Sequence, residues 1–158
     1  LAGKWGSRKP PEKILDVGRE HLVRQTTVIK EAEAVGDFLA AGYGVFFCSS
    51  LAWSNQRDEE FGFSPTKIGS WAHAQCCAGW DDRKETVRKF GQPLVLIGNS
   101  WGKWNKGNRK VHGTNLQIPH GFYWTKSSYL NKCNCIALSS VAGWPIRKLT
   151  SYGAKGNI

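Results

Sequence analysis

Apolar positions along the chain fall into short runs, and polar stretches with glycine and proline separate them. The β-branched run at residues 26–29 (Thr-Thr-Val-Ile) predicts a strand. Over residues 30–41 the apolar residues recur at helical spacing, and Gly42 then ends the predicted helix. The apolar run at residues 44–49 (Gly-Val-Phe-Phe-Cys-Ser) predicts a buried strand. The pattern therefore indicates strand, helix and strand, in that order.

Further strands are predicted after a polar loop at residues 54–70, where Gly62, Pro65 and Gly69 are turn-forming residues. A charged connection at residues 83–89 and a long loop rich in Gly, Asn and Lys at residues 102–119 separate these strands. The predicted strands lie at residues 71–80, 94–97, 121–124 and 135–139.

The fold predicted from this pattern is α+β, an antiparallel β-sheet or barrel with one preceding helix and long loops. Residues 1–25 lack apolar periodicity and are predicted to be an extended linker or lead-in from an absent N-terminal domain. Residues 26–145 are assigned to the β domain and residues 146–158 to a C-terminal tail. The chain contains no methionine, so Leu1 is not expected to be a natural translation start.

Charge and apolar-run length narrow the class of protein. The longest apolar runs are far shorter than the roughly 20 residues of a membrane-spanning helix, so no membrane span is predicted. Lys and Arg outnumber Asp and Glu by 22 to 12, giving a net charge of +10. The basic residues are scattered and no nucleic-acid motif accompanies them, which favours a solvated basic surface over a nucleic-acid interface.

The five cysteines do not form a recognisable disulfide framework or a spaced metal site. Cys48 lies in an apolar run and is predicted to be a core residue. A disulfide or a metal site that joins the pair Cys76 and Cys77 to the pair Cys133 and Cys135 is the alternative to simple packing. No cofactor or metal is indicated.

Two short segments carry the chemistry. Gly-Asn-Ser-Trp-Gly at residues 98–102 directly follows the predicted strand at 94–97, and Ser-Trp-Ala-His-Ala at residues 70–74 opens an earlier strand. Together they resemble the papain family of cysteine peptidases, in which a histidine strand precedes an Asn-Ser-Trp-Gly segment. The order of elements over residues 31–139 is also similar to that of the family's C-terminal, right-hand domain. The resemblance is closest to divergent members from bacteria and their phages.

The resemblance implies a role for each residue of the motif. His73 would take the proton of a cysteine thiol, and Asn99 would orient the imidazole by accepting its N–H. Trp101 would shield that hydrogen bond from water, with Ser100 as a second supporting residue. Taken singly, His73 could be a core histidine and Asn99-Ser100 a simple turn. Their pairing, and a tryptophan in the turn, favour the catalytic interpretation.

The nucleophile of the family has no counterpart in this chain. Papain-like enzymes carry it near the mature N-terminus, with the histidine about 130–150 residues downstream, whereas only 72 residues precede His73. Cys76 and Cys77 follow His73 by three and four residues, which places them roughly 10–13 Å away along a strand. The cysteine is therefore predicted to lie on an absent segment or a partner chain, unless catalysis has been lost.

Two functions follow from these observations. The first is peptide-bond hydrolysis by a Cys-His-Asn triad, with a polypeptide substrate and a missing cysteine-bearing domain as partner. The second is a non-catalytic structural or binding module that keeps the peptidase fold, for example in a virion or surface assembly. Either function suits a soluble protein that is virion-associated or secreted. His112 and His120 lie in the long loop and are predicted to be surface residues.

Overall fold

The computed structural model describes residues 11–20, 23 and 25–138. The chain divides into two compact units, and residues 11–25 belong to a different unit from Thr26–Leu138. The predicted C-terminal tail at residues 146–158, and residues 139–145 of the predicted β domain, lie outside the described residues. The candidate site belongs entirely to the unit Thr26–Leu138.

The prediction of an extended lead-in at residues 1–25 is wrong where the structure describes this segment. Helix α1 (Glu12–Glu20) occupies it. Pro11 precedes the helix, a position that suits the fixed φ of proline. Arg19 in its last turn forms ion pairs with Glu12, at 3.0 Å, and with Asp16. A single short helix that follows two prolines and contains Gly18 gives too few periods for the apolar pattern to reveal it.

Six strands form one open antiparallel sheet, so the chain has an α+β fold. The strand order is β1-β6-β2-β3-β4-β5, with β1 and β5 as the two edges. Because these two edge strands do not pair with each other, the barrel alternative of the prediction is wrong. The strands are β1 (Thr26–Ile29), β2 (Gly44–Trp53), β3 (Thr66–Asp81), β4 (Leu94–Gly98), β5 (Tyr123–Lys126) and β6 (Asn134–Leu138).

Helix α2 (Ala32–Ala40) confirms the predicted helix, and the long loop between β4 and β5 is also confirmed. Two predictions of local structure are wrong. Strand β3 begins within the predicted polar loop, and the predicted charged connection forms helix α3 (Lys84–Phe90), which ends at Gly91 in the left-handed conformation. The described part of the chain thus has three α-helices instead of one. None of them has the length and apolar character needed to cross a membrane.

Helix α2 covers one face of the sheet, which we call the inner face. Gly36 allows this packing, because a Cβ at that position would lie only 2.8 Å from the Trp80 ring. Burial of each large apolar side chain there contributes about 1.5–3 kcal/mol to stability. The main core includes Val35, Val45, Phe47, Trp53, Val95, Ile97 and Tyr123.

The opposite, outer face is covered only in part. A second, smaller cluster of Leu94, Ile118 and Trp124 lies there, with Phe63, Phe90 and Leu96 packed against it. Over β1, β6 and β2 the same face exposes Val28, Phe46 and Ile136. The register places Ile136 opposite both Val28 and Phe46, so these three side chains form one cross-strand row.

Asp81, the last residue of β3, joins the sheet to helix α3. Its carboxylate accepts hydrogen bonds from Arg83 Nε (2.8 Å), Arg83 Nη2 (2.7 Å) and Thr86 Oγ1 (2.9 Å). Burial by itself raises the pKa of the Asp81 carboxyl, but the hydrogen bonds from Arg83 and Thr86 prevail and hold that pKa below its ordinary value.

A carboxyl with a lower pKa in the folded chain stabilises the fold above its unfolded pKa of about 3.9, and this contribution is lost as pH falls through the folded pKa. We therefore expect Asp81→Asn to lower the free energy of unfolding most at neutral pH, and the difference from the wild type to shrink below about pH 4. Urea unfolding across this pH range measures it. The exposed neighbour Asp82, changed to Asn, is the matched control. A difference that stays constant with pH would contradict the assignment.

Candidate active site

Strand alternation brings His73 and Asn99 to the same face of the sheet. In the β3–β4 pairing, Cys77 lies opposite Ile97, and both are buried in the inner core. His73 is four residues before Cys77 and Asn99 is two residues after Ile97, so a period of two places all four side chains on the inner face. Neighbouring strands lie about 4.8 Å apart, which allows the two polar side chains to meet.

The predicted contact between His73 and Asn99 is confirmed. His73 Nε2 lies 3.0 Å from Asn99 Oδ1. Because an amide oxygen can only accept, Nε2 carries the proton and donates it to Asn99. The other ring nitrogen, Nδ1, has no hydrogen bond to any described residue and is therefore free to accept a proton. Asn99 is only 6% exposed, so water has little access to the bond.

Trp101 packs on the His73 ring, as predicted. The ring centroids are 4.6 Å apart and the planes make an angle of 24°, so the two rings are stacked. Trp101 itself is 43% exposed, and the His73 ring is half-buried. The imidazole is therefore shielded on one face and remains accessible elsewhere.

Two further tryptophans, which the sequence analysis did not assign to the site, surround Trp101. The Trp71 and Trp104 rings both meet it edge-to-face, with their centroids 4.8 Å and 5.5 Å from the Trp101 centroid. Trp71 precedes His73 by two residues in β3, so strand periodicity alone could have placed it on the same face. Trp104 lies in a loop, where no periodic signal exists.

Ser100 is the one predicted site residue without a contact in the site. Its side chain is exposed, and it forms no hydrogen bond with any described residue. It lies between Asn99, which is buried, and Trp101, which stacks on the imidazole. The structure therefore brings together His73, Asn99 and Trp101 and leaves Ser100 at the surface.

Arg57, also absent from the predicted site, anchors the loop that carries Trp101 and Trp104. Its guanidinium is 2% exposed and donates to the Asn105 Oδ1 (3.0 Å), Phe122 O (2.9 Å) and Gly107 O (3.0 Å) atoms. These acceptors lie at separate points of the loop between β4 and β5. One buried side chain therefore fixes the path of a segment that has no helix or strand of its own.

Gly121 allows this loop to close against the end of β4. Its φ is +84°, and a Cβ there would lie 2.7 Å from Gly102 O and 2.8 Å from Asn99 O. Gly91 has a similar φ of +73° but no heavy atom near its Cβ position.

We expect Gly91→Ala to lower the free energy of unfolding by about 1 kcal/mol, because only backbone strain is added. In urea unfolding, the loss in free energy of unfolding for Gly121→Ala is expected to be larger than that for Gly91→Ala by at least about 1 kcal/mol, because overpacking is added to the strain. Equal losses would contradict the close approach.

The five cysteines are all free thiols, so no disulfide joins the two pairs. The prediction that Cys48 is a core residue is wrong. Alternation in β2 turns Val45 and Phe47 inward and leaves Cys48 exposed on the outer face. Cys76 also faces outward, where its Sγ donates to Gly98 O at 3.5 Å.

The remaining cysteines share the inner face with His73 but do not reach it. Cys77 is four residues along β3, roughly 13 Å away. Ser49 pairs with His73 across β2 and β3, and Cys133 lies beyond Ser49. Cys133 is therefore two strand spacings from His73, a distance of roughly 10 Å along the sheet. Burial raises the pKa of the Cys133 thiol, although a hydrogen bond with the Ser49 side chain opposes the shift.

His112 and His120 lie in the loop between β4 and β5, and neither has a hydrogen bond or ring contact with His73, Asn99 or Trp101. His120 is exposed, as predicted, and its Nε2 lies 2.8 Å from Arg109 Nη1. His112 is half-buried instead, because its ring stacks on Phe61 with centroids 4.1 Å apart. Within residues 11–20, 23 and 25–138, no group of three His, Cys, Asp or Glu side chains could hold a metal ion.

Similarity to known proteins does not assign the chain to a family. A comparison with protein-family models, with curated proteins and with solved structures found no match. What the site can do chemically therefore depends on its geometry: an oriented imidazole with a free Nδ1, shielded on one face and accessible elsewhere.

Proposed function

We propose that this chain is the histidine- and asparagine-bearing half of a papain-like cysteine peptidase, and that the nucleophilic cysteine lies outside residues 1–158. The observation that carries the proposal is the hydrogen bond from His73 Nε2 to Asn99 Oδ1 beneath Trp101. It fixes the tautomer in which Nδ1 is the basic nitrogen. A general base that takes a proton from a thiol needs this tautomer, and its basic nitrogen must be accessible to the thiol.

The proposed reaction follows the sequence of proton transfers that an oriented imidazole allows. His73 Nδ1 takes the proton of the incoming thiol, and the thiolate attacks the scissile carbonyl carbon. The resulting imidazolium gives that proton to the leaving amine, which departs as the acyl-enzyme thioester forms. Water then hydrolyses the thioester, with His73 acting as base and then as acid. Asn99 holds the ring in one orientation throughout.

The thiols of this chain support the assignment of the nucleophile to another segment. Burial raises the pKa of Cys135 to about 11, and burial also raises the pKa of Cys77. A thiol with a pKa of 11 is ionised in only about one molecule in ten thousand at neutral pH. Reactive cysteines need a lowered pKa and an accessible position, and neither thiol has them.

We expect iodoacetamide at neutral pH to modify Cys77 and Cys135 in the native chain far more slowly than in denaturant, because burial suppresses both access and ionisation. The exposed Cys48 is the internal control and should react at similar rates in both states. Peptide mass spectrometry after a short pulse of reagent measures all sites together. Fast native labelling of Cys77 or Cys135 would contradict the buried placement.

The test of the proposed function is peptide hydrolysis by the complete protein, purified with whatever polypeptide co-purifies with this chain. We expect the complex to cleave a fluorogenic peptide and to lose this activity on thiol alkylation. The 158-residue chain alone should be inactive, because its own cysteines do not reach His73. Cleavage by this chain alone, or cleavage by the complex that survives alkylation, would overturn the proposal.

One observation favours a second function, that of a non-catalytic binding module. The exposed row of Val28, Ile136 and Phe46 is an apolar surface that a protein partner could cover. This function needs the sheet but not the imidazole. If His73→Ala leaves every measurable property of the complete protein unchanged, including its assembly with partners, the binding module is the better account.

A further inference from the structure

A series of stacked and edge-on rings leads from the core of the domain to the candidate base. Trp53 is fully buried, and its Nε1 donates to Thr125 Oγ1 at 2.9 Å. Trp71 lies 6.5 Å from Trp53 and 4.8 Å from Trp101, measured between ring centroids. Trp101 in turn stacks on His73. Trp71 is therefore one of two rings that connect a buried core residue to Trp101, since Trp104 lies 5.5 Å from Trp101 and 5.9 Å from the buried Tyr123.

Trp101 meets Trp71 and His73 in different geometries. The two indoles make an angle of 81°, so Trp71 supports Trp101 edge-to-face. Trp101 makes an angle of only 24° with the imidazole, so its flat face covers His73. Trp101 belongs to a loop and is half-exposed, so its backbone alone does not impose this orientation. A rotation away from Trp71 would uncover the bond between His73 and Asn99.

Among the described residues, the Trp71 side chain has ring contacts but no hydrogen bond. The Nε1–H group of Trp71 is buried and has no hydrogen-bond partner in the described part of the chain. A buried donor without an acceptor destabilises a fold. Phenylalanine would fill most of the same space without that unsatisfied group. Ring contacts therefore place Trp71 beside Trp101, and phenylalanine would keep an edge-to-face ring there.

We propose that Trp71 is a positioning residue that holds Trp101 face-on against His73 and thereby maintains the His73–Asn99 hydrogen bond. This inference deepens the proposed function, and its kinetic consequence rests on that function. Its structural consequence does not rest on that function, because all of the rings concerned belong to this chain. The two consequences therefore need separate measurements.

The structural test uses NMR of the His73 ring protons in the full 158-residue chain. Protons above the face of an indole are shifted upfield, so the wild-type His73 signals should be displaced relative to those of Trp101→Ala. We expect Trp71→Ala to abolish most of this displacement and Trp71→Phe to preserve most of it, because an edge-to-face partner remains. Trp80→Phe, a tryptophan packed against helix α2, is the matched control and should leave the signals unchanged.

An unchanged His73 displacement in Trp71→Ala would overturn the positioning role. If Trp71→Ala does not fold, Trp71→Phe still decides the question, since loss of the displacement in that folded variant would show that edge-to-face support is not what holds Trp101.

The kinetic test uses the complete protein. We expect Trp71→Ala to lower kcat by about ten- to a hundredfold with little change in KM, because misplacing a catalytic group affects the chemical step. Trp71→Phe should recover most of kcat. A change in KM alone would instead place Trp71 in substrate binding and would overturn the proposal. If the wild-type complex has no activity, the proposed function fails, while the NMR displacement still tests Trp71.

Discussion

Replacing His73 by alanine in the complete protein is expected to lower kcat by about four to six orders of magnitude. The imidazole is both the base that generates the thiolate and the acid that protonates the leaving amine, so both halves of the reaction lose their proton carrier. The measurement is steady-state hydrolysis of a fluorogenic peptide. Circular dichroism should confirm that the variant folds, because the half-buried ring of His73 is not part of the main core.

The partner of His73 and a histidine that does not contact it make this experiment specific. Asn99→Ala should lower kcat less, by about a hundredfold, because the imidazole remains but its orientation is lost. His120→Ala removes an exposed histidine of the same loop and should leave kcat unchanged. The account is contradicted if His73→Ala keeps more than about a tenth of the activity, or if His120→Ala is as damaging as His73→Ala.

Replacing Arg57 by methionine is expected to lower the free energy of unfolding by roughly 3–5 kcal/mol. The substitution keeps much of the apolar stem but removes the donors to Asn105, Gly107 and Phe122. All three hydrogen bonds to the charged guanidinium are lost, each worth about 1.5–3 kcal/mol, and the buried Asn105 Oδ1 is left without its donor. Urea unfolding followed by tryptophan fluorescence measures the loss.

A surface arginine supplies the comparison. Arg88, an exposed residue of helix α3, changed to methionine should alter the free energy of unfolding by less than about 0.5 kcal/mol. Because Arg57 organises the loop that carries Trp101, Arg57→Met should also reduce the upfield displacement of the His73 signals before the chain unfolds. A loss below about 1 kcal/mol, with His73 unaffected, would mean that the loop is held by other contacts.

The central pair of the site could be predicted because the segments around His73 and Asn99 resemble those of the papain family, and two simple regularities make their contact possible. A strand period of two fixes the face of His73, and a position directly after a buried strand places Asn99 at the same end of the sheet. The structure confirms their contact at 3.0 Å. The same rule, applied to Trp71, would have added it to the site.

The parts that sequence did not predict depend on contacts between residues far apart in the chain. Arg57 lies 48 residues before Asn105, and no local pattern indicates that its guanidinium is buried. Helix α3 is short and mostly charged, and it depends on tertiary contacts such as that of Phe90 with Phe61, whose ring centroids are 5.1 Å apart. The open sheet also depends on β1 and β5 remaining unpaired with each other, which strand patterns do not specify.

The most direct test of the central claim is active-site labelling of the complete protein with a peptide that carries a thiol-reactive group. The account predicts that the labelled cysteine lies on a polypeptide segment outside residues 1–158, and that His73→Ala suppresses labelling because the thiolate no longer forms. Mass spectrometry of the labelled peptide identifies the site. Labelling of Cys48, Cys76, Cys77, Cys133 or Cys135 as the sole event that abolishes activity, or labelling that is unchanged in His73→Ala, would contradict it.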